Sequence, residues 1–188
     1  MILLSILVPT LDERISKFRY LSKVISHQIN QAGLQTKVEF LYYKDNREHT
    51  TGHKRNVLLD QAKGKFVVFV DDDDELAPTY VQDIVQVIER MPDIDAIGLQ
   101  GVYTQNGAGH KAWETSINHT WEEAGGRYLR YINHISPIRR EHAVKARFTD
   151  KVIGEDYDYT MQLKQLNIIK KEFIIQKPLY FYHYISNK

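Results

Sequence analysis

The chain has 188 residues, 43% of them hydrophobic, with 25 lysines and arginines against 24 aspartates and glutamates. This length and apolar content predict one domain with a substantial core, and the balanced charge gives no reason to expect nucleic acid or an anionic membrane as a partner. No cysteine is present, which excludes disulfides, thiolate zinc sites and cysteine nucleophiles and fits a reducing compartment such as the cytoplasm.

The first hundred residues alternate between strand and helix patterns. The apolar stretch Ile2 to Val8 predicts a buried strand, and apolar residues at helical spacing from Ile15 predict a helix that ends at Gly33. The same patterns then predict strands over 37–43, 66–70 and 95–103, a helix over 52–64 and a helix that begins at Pro78. Apolar strands that alternate with helices indicate a mostly parallel sheet covered on both faces.

The second half is less regular and predicts elements that decorate this sheet. Asn106-Gly107 predicts a hairpin turn, 122–131 a loop or short helix, and 133–141 a strand that leads into a helix. A further helix is predicted to begin at Glu155–Asp156, and the tail 172–188 is predicted to form two short strands. No apolar stretch approaches the ~20 residues that a membrane span needs, so we expect no transmembrane segment and at most peripheral attachment to a membrane.

Four consecutive aspartates, Asp71 to Asp74, follow the third predicted strand. Ligands of parallel sheets bind outside the carboxyl ends of the strands. Adjacent carboxylates repel each other by ~1 kcal/mol per close pair even in water, and a hard divalent cation removes that cost. The alternative is a solvated acidic turn that caps the following helix. A calcium EF-hand loop fits poorly, because it needs glycine where Leu76 stands.

The motifs, in their order along the chain, resemble those of family-two glycosyltransferases of the GT-A fold. They are "SILVPTLDE" (5–13), "GHKRN" (52–56), "DDDDELAP" (71–78), "IGEDYDYTMQL" (153–163) and "LYFYHY" (179–184). The resemblance runs over nearly the whole chain and implies a Rossmann-like α/β domain that transfers a sugar, with inversion, from a nucleotide diphosphate donor to an acceptor. Residues 1–100 would form the nucleotide-sugar-binding half and residues 101–188 the acceptor-binding and catalytic half of this one domain.

The resemblance also implies a cofactor and a donor site. Mn²⁺ or Mg²⁺ would bind Asp73 and Asp71 of the D-x-D pattern, with His183 as a further ligand or a contact to the diphosphate. Because alternate side chains of an extended segment project the same way, Asp72 would contribute less than its neighbours, and Asp74 would hold the turn or the sugar hydroxyls. The residues that would bind the donor are Pro9, Thr10, Asp12, Asp45, Arg55, Asp71 and Asp72.

For catalysis, the resemblance implies that Asp156 is the base that deprotonates the acceptor hydroxyl, with Glu155 beside it. The alternative for Asp156 is a helix N-cap, and the alternative for Arg55 is a surface residue paired with a carboxylate. The acceptor, a glycan or another hydroxyl-bearing molecule, would bind in the second half. Four residues lie where the family builds acceptor sites, with a structural role as the alternative for each: Trp113, Trp121, His134 and Arg139.

Some residues depart from the family pattern. Lys44 replaces the first of two aspartates that usually end the second strand, and Asp12 stands for the usual asparagine, so a UDP-sugar is the default donor rather than a derived one. The Q-x-x-R-W motif of processive synthases is missing, which predicts one transfer per encounter. Two other functions stay open: a sugar-phosphate nucleotidyltransferase, although the first loop lacks its glycines, and a non-catalytic nucleotide-sugar-binding module.

Overall fold

The computed structural model describes residues 1–185 and contains one sheet of ten strands with helices on both faces. The strands are β1 Leu4–Leu11, β2 Val38–Asp45, β3 Phe66–Phe69, β4 Glu75–Leu76, β5 Ala96–Gln105, β6 Ala108–Thr115, β7 Trp121–Ala124, β8 Arg127–Arg130, β9 Ile138–Arg139 and β10 Glu172–Tyr184. The helices are α1 Ile15–Gln31, α2 Thr51–Gln61, α3 Tyr80–Arg90, α4 Arg140–Ala143 and α5 Glu155–Leu166, and a 3-10 turn over Asp12–Arg14 precedes α1.

The sheet has a parallel half and a mixed half. In the first, β1 lies between β2 and β3 and runs parallel to both. The short strand β9 lies antiparallel between β3 and β5, so β3 and β5 run in the same direction. β10 runs parallel to β5, whereas β6 is antiparallel to it. The predicted α/β architecture with a mostly parallel sheet is therefore confirmed.

Apolar side chains fill the space on both faces of the sheet. On one face, Leu4 and Ile6 of β1 join a cluster that includes residues of α1 and α3. On the other, Leu7 joins a cluster that includes Leu58 of α2 and Leu163 of α5. Because β1 is covered on both sides, every one of its positions from 4 to 10 is buried, which explains why its sequence is continuously apolar rather than alternating.

Two predictions for the second half were wrong. Residues 122–131, predicted as a loop or short helix, form most of the hairpin β7–β8, in which Gly125 and Gly126 have φ angles of +57° and +71°; two-residue hairpin turns of this kind need positive φ at both positions. Residues 172–184 form the single strand β10 rather than two, with register shifts around Pro178, which has no N–H to donate; residues 186–188 of the predicted tail lie outside the described residues. The turn at Asn106-Gly107 is confirmed.

Two smaller findings complete the fold. Helix α3 begins at Tyr80, after Thr79, rather than at Pro78. Across residues 1–185, no helix is both long enough and apolar enough to cross a membrane.

Candidate active site

Two cavities open beside the end of β3, and Asp71 and Tyr182 line both of them. The larger, of about 850 Å³, is here called the charged cavity. Its charged lining residues are Arg14, Lys17, Arg47, Glu48, Lys54, Arg55, Asp71, Asp72, Asp73 and Glu155. The smaller, of about 390 Å³, is here called the aromatic cavity. Its aromatic lining residues are Tyr103, Trp113, Trp121, Tyr128, Tyr180 and Tyr182, with His134 beside them.

The four aspartates Asp71 to Asp74 form a turn, here called the acidic turn, rather than an extended segment. The backbone N–H of Asp74 donates to the carbonyl of Asp71 at 3.2 Å, an i to i+3 bond that curls the chain. Asp72 consequently points inward, where it is 3% exposed and accepts a hydrogen bond of 2.6 Å from the Thr10 hydroxyl. The expectation that alternate side chains of this run project the same way was therefore wrong, since it required an extended backbone.

Arg14 compensates the charge of this turn. Its Nη2 lies 2.6 Å from Oδ1 of Asp72 and also pairs with Oδ2 of Asp73. Lys17 Nζ lies 3.7 Å from the same Asp73 oxygen. Sequence reasoning missed both basic residues, Arg14 at the end of the 3-10 turn and Lys17 in the first turn of α1, although residues three apart at a helix start lie on one face. Burial raises the pKa of Asp72, which its contacts with Thr10 and Arg14 only partly offset.

Asp74 anchors the acidic turn to strand β10. It is 4% exposed, and its Oδ2 accepts a hydrogen bond of 2.7 Å from the Tyr180 hydroxyl. The same hydroxyl accepts the backbone N–H of Asp71 at 3.1 Å. Burial, together with the charge of Asp71, raises the pKa of Asp74 well above its usual value. The geometry thus agrees with the expectation that Asp74 holds the turn.

Arg55 joins the acidic turn to the start of α5. Its Nη2 lies 2.8 Å from Oδ1 of Asp71 and 3.7 Å from Oε1 of Glu155. The residue is 3% exposed, so the reading of Arg55 as a surface residue is wrong, although it does pair with carboxylates. Burial opposes ionisation of Asp71, but the charges of Arg55 and His134 outweigh it and hold the pKa of Asp71 well below its usual value.

Glu155 and Asp156 are neighbours in sequence but line different cavities. Glu155 lines the charged cavity and is 4% exposed, whereas Asp156 lines the aromatic cavity. The N-cap position of α5 is Gly154, with φ of +82°, and no side chain caps this helix. The helix-cap alternative for Asp156 is therefore not supported. Burial raises the pKa of Glu155, and the Arg55 charge offsets this only in part.

Gly52 allows α2 to approach the loop before α5. Its N–H donates to the carbonyl of Lys151 at 3.1 Å, and a Cβ built on it would lie 1.8 Å from the carbonyl oxygen of Thr149. Only glycine fits at such a distance. The glycine that opens "GHKRN" thus sets α2, which carries Arg55, against the segment that leads into Glu155.

The predicted donor-binding residues divide into two groups. Pro9 and Thr10 line the charged cavity together with Arg55 and the acidic turn. Asp12 and Asp45 do not line it. Asp12 pairs with Lys44, so the two departures from the family pattern contact each other.

Asp45 is a structural residue in this geometry. Its side chain is 8% exposed and accepts hydrogen bonds from Lys54 Nζ at 2.8 Å and from the backbone N–H of His49 at 2.9 Å. Burial opposes ionisation, but these two bonds lower the pKa of Asp45 below its usual value. Lys54 also donates to the carbonyl of Thr10 at 2.9 Å, so the pair ties the ends of β1 and β2 to α2.

The metal ligands implied by the family lie around the charged cavity without forming a closed site. Within the described 185 residues, no three histidine, aspartate or glutamate side chains are grouped so that they alone could hold a metal. Asp71, Asp73 and His183 nevertheless line the same cavity, and His183 Nε2 is buried without a hydrogen-bond partner in this part of the chain. Mg²⁺ and Mn²⁺ fit such a site, because they accept one or two carboxylates and complete their shell with phosphate oxygens and water.

Three of the four predicted acceptor-site residues lie together. Trp113, Trp121 and His134 line the aromatic cavity. Arg139 lines neither cavity and instead donates to the carbonyls of Pro92 and Ile94. Sequence reasoning also missed Tyr157, which packs edge to face on Trp121 with ring centroids 5.3 Å apart.

Comparison with known proteins shows the family and the fold of the chain. The model of the family described as "Glycosyl transferase family 2" matches residues 22–144, which is more than half of the chain. A crystal structure of S. aureus TarS 1-349 in complex with UDP-GlcNAc matches at 19% identity with a TM-score of 0.66, covering 100% of this chain and 60% of that one. The complex of the same fragment with UDP gives 19% identity and a TM-score of 0.66, with 97% and 60% covered.

The crystal structure titled S. aureus TarS matches at 19% identity with a TM-score of 0.64, covering 97% of this chain and 37% of that one. The chain thus spans about 60% of the length of the TarS 1-349 structures that it matches. At this identity the likeness shows the fold. Comparison with curated proteins found no match.

Proposed function

The chain belongs to glycosyl transferase family 2, and we propose that it is a metal-dependent, inverting glycosyltransferase that makes one transfer per encounter. The donor is a nucleotide diphosphate sugar, with UDP as the default nucleotide, and the acceptor is a glycan or another hydroxyl-bearing molecule. The observation that carries this proposal is the junction at Asp71, where a charged cavity and an aromatic cavity meet between Glu155 and Asp156.

The charged cavity is the donor site in this proposal. Its basic residues, among them Arg14, Lys17 and Arg55, suit a diphosphate, and it opens at the carboxyl end of β1, where parallel sheets bind nucleotides. The base would lie against Pro9 and Thr10. Asp45 would act there indirectly, by holding Lys54. The crystal structures with UDP and UDP-GlcNAc, which share the fold, support a nucleotide-sugar donor.

Asp73 and Asp71 would hold Mn²⁺ or Mg²⁺, with His183 as a further ligand. When bound, the ion supplies positive charge that stabilises the leaving diphosphate. Arg14 would then move from Asp73 toward the donor phosphates, because the ion and the guanidinium would compete for the charge of the same carboxylate. Arg55, whose Nη2 lies 2.8 Å from Oδ1 of Asp71, would keep that carboxylate ionised and oriented.

Asp156 is the catalytic base in this proposal. It accepts the proton of the acceptor hydroxyl while the acceptor oxygen bonds to the anomeric carbon and the bond from that carbon to the diphosphate oxygen breaks. Asp156 lines the aromatic cavity, whereas Arg14, Lys17 and Arg55 line the charged one, so in this proposal the nucleophile and the leaving group would be on opposite faces of the sugar. A single displacement of this kind inverts the anomeric configuration.

In this proposal the two halves of the chain supply different parts of the active site. Residues 1–100 supply most of the donor site, and residues 101–188 supply the base and most of the aromatic cavity. We also propose a cytoplasmic location, with peripheral attachment to a membrane where the acceptor requires it.

Calorimetric titration with UDP, GDP, CDP and ADP, each with and without Mn²⁺, tests this function together with an assay of UDP release from UDP-sugars. We expect one nucleotide to bind preferentially, to need Mn²⁺, and to be released from its sugar over time. Binding without any turnover would favour the non-catalytic module, and no Mn²⁺-dependent nucleotide binding would refute the proposal.

A further inference from the structure

Two histidine rings stack on each other at the edge of the charged cavity. The rings of His49 and His53 have centroids 4.4 Å apart, and their planes are 16° from parallel. His49 lines the charged cavity, whereas His53 does not. One face of the His49 ring is therefore covered by His53, and the surface that His49 turns to the cavity is not the covered face.

Other contacts hold this pair of rings in place. The Tyr43 ring meets both imidazoles edge to face, with centroids 5.8 Å from His49 and 6.3 Å from His53. Its hydroxyl is hydrogen-bonded to Nδ1 of His49 at 3.2 Å. The backbone N–H of His49 donates to Oδ2 of Asp45 at 2.9 Å, and the backbone N–H of His53 donates to the Thr50 hydroxyl at 3.0 Å. The His49 ring is thus oriented before a ligand binds, although its side chain is 42% exposed.

His49 lies close to the end of β1, where the donor base is placed. Lys54 Nζ donates to the carbonyl of Thr10 at 2.9 Å and to Oδ1 of Asp45 at 2.8 Å. The other oxygen of the same carboxylate accepts the backbone N–H of His49. One ammonium group and one carboxylate therefore link Thr10 to His49, and both of these residues line the charged cavity.

The other aromatic rings of this cavity lie elsewhere. Among the described residues they are Tyr182, His183 and Tyr184 of β10. β10 pairs with β4 and β5 and not with β1 or β2, and the backbone N–H of His183 donates to Asp74 of the acidic turn at 3.3 Å. These three rings are thus beside the proposed diphosphate site. The flat aromatic surface near the ends of β1 and β2 is the ring of His49.

We infer that His49 stacks on the base of the nucleotide donor, so that the base continues the stack of the two imidazoles and His53 supports it from behind. This inference rests on the proposed function, because it adds a binding residue to the donor site. Nucleobases stack on aromatic side chains, and since every base has a flat face, such a contact strengthens binding without selecting the nucleotide.

Calorimetric titration with UDP and with inorganic pyrophosphate, both in the presence of Mn²⁺, tests the inference, because pyrophosphate has no base. His49→Ala should weaken UDP binding about tenfold and leave pyrophosphate binding unchanged. His49→Phe keeps a flat ring without ring nitrogens and should recover most of the loss. His53→Ala should weaken UDP binding less, about twofold. His27→Ala is the matched control, because His27 is an exposed histidine of α1 that lines neither cavity.

Proton NMR of bound UDP gives an independent signature of stacking. The uracil ring-proton resonances should move upfield on binding to the wild-type protein and to His49→Phe, and His49→Ala should abolish most of this shift. UDP affinity that His49→Ala leaves unchanged, or an equal loss for UDP and pyrophosphate, would overturn the stack and leave the donor site in place. A His49→Phe variant that binds UDP as weakly as His49→Ala would also overturn it, because a hydrogen bond from the imidazole would then explain the contact.

The same titrations repeated without Mn²⁺ separate this inference from the proposed function. UDP binding that needs no Mn²⁺ but still depends on an aromatic ring at residue 49 would refute the metal-dependent function and leave the stack standing. A wild-type protein that binds no UDP under either condition would overturn both proposals.

Discussion

The charged and aromatic cavities differ in how their polar groups are satisfied before any ligand binds. In the charged cavity the carboxylates are already paired, Asp72 and Asp73 with Arg14 and Asp71 with Arg55. In the aromatic cavity the buried indole N–H of Trp113 has no hydrogen-bond partner in residues 1–185, and His134 Nε2 lies 3.6 Å from Oδ2 of Asp71 without a hydrogen bond. A ligand of the first cavity must therefore replace existing contacts, whereas a ligand of the second adds contacts that are missing.

The largest effect should come from the junction between the cavities. Asp156→Asn removes the group proposed to accept the proton and should reduce turnover by roughly 10²–10⁴-fold. Donor affinity should hardly change, because Asp156 does not line the charged cavity. Steady-state rates and UDP titration measure the two quantities. A variant with full activity and an unchanged melting temperature would remove Asp156 from the mechanism.

The next effect should separate two neighbours in the acidic turn. Asp73→Asn should abolish the stimulation of UDP binding by Mn²⁺ without loss of the fold, because this carboxylate is 32% exposed in the charged cavity. Asp72→Asn should act mainly on stability, because Asp72 is buried against Thr10. Calorimetry and thermal melting of both variants give the comparison. An equal loss of Mn²⁺-dependent affinity at both positions would contradict the separate roles assigned here.

A smaller effect, on Mn²⁺ affinity, should follow from removal of the Arg14 guanidinium. Arg14→Ala leaves Asp73 without its guanidinium partner, and relief from competition of ~1 kcal/mol should tighten binding of Mn²⁺ alone by about fivefold. Lys17→Ala is the control, because Lys17 lies 3.7 Å from Asp73 and should have less effect. Titration of Mn²⁺ without nucleotide measures both. If Arg14→Ala weakened Mn²⁺ binding, Arg14 would not compete for this carboxylate.

The smallest effect should be at the pair Asp12–Lys44. Both side chains are substantially exposed, 46% and 37%, and exposed ion pairs contribute ~0–1 kcal/mol. Asp12→Ala and Lys44→Ala should therefore lower stability by less than about 1 kcal/mol and leave UDP affinity unchanged, as thermal melting and calorimetry would show. A large change in nucleotide preference would instead return these residues to the base-recognition site.

The regular half of the fold could be predicted from the sequence because its signals are local. The continuous apolar stretch of β1 predicts a strand buried on both faces, and the helical spacing of apolar residues in α1 predicts a helix buried on one face. The hairpin β7–β8 was missed because its strands are short, with β7 exposed and β8 half-buried, so that they carry no alternating apolar pattern. Its turn residues, Gly125 and Gly126, were the only local signal.

The candidate site was predictable by residue type but not by geometry. The acidic run and Glu155–Asp156 could be found from motifs, whereas the side-chain directions depended on a turn at Asp71 that propensity does not specify. Arg14 was missed because its partners lie about sixty residues away in the chain, and long-range ion pairs leave no periodic pattern. Glu155 lines the charged cavity and Asp156 the aromatic one. This assignment depends on how α5 packs against the rest of the fold, which the sequence does not specify.

The most direct test of the central claim is a crystal structure of the chain with UDP and Mn²⁺. We expect the diphosphate and the ion beside Asp71 and Asp73 in the charged cavity, the base against Pro9 and Thr10, and Arg14 released from Asp73 toward the phosphates. The aromatic cavity should stay free of nucleotide. UDP in the aromatic cavity or at the opposite edge of the sheet, or Arg14 still bridging Asp72 and Asp73 with UDP bound, would contradict this account.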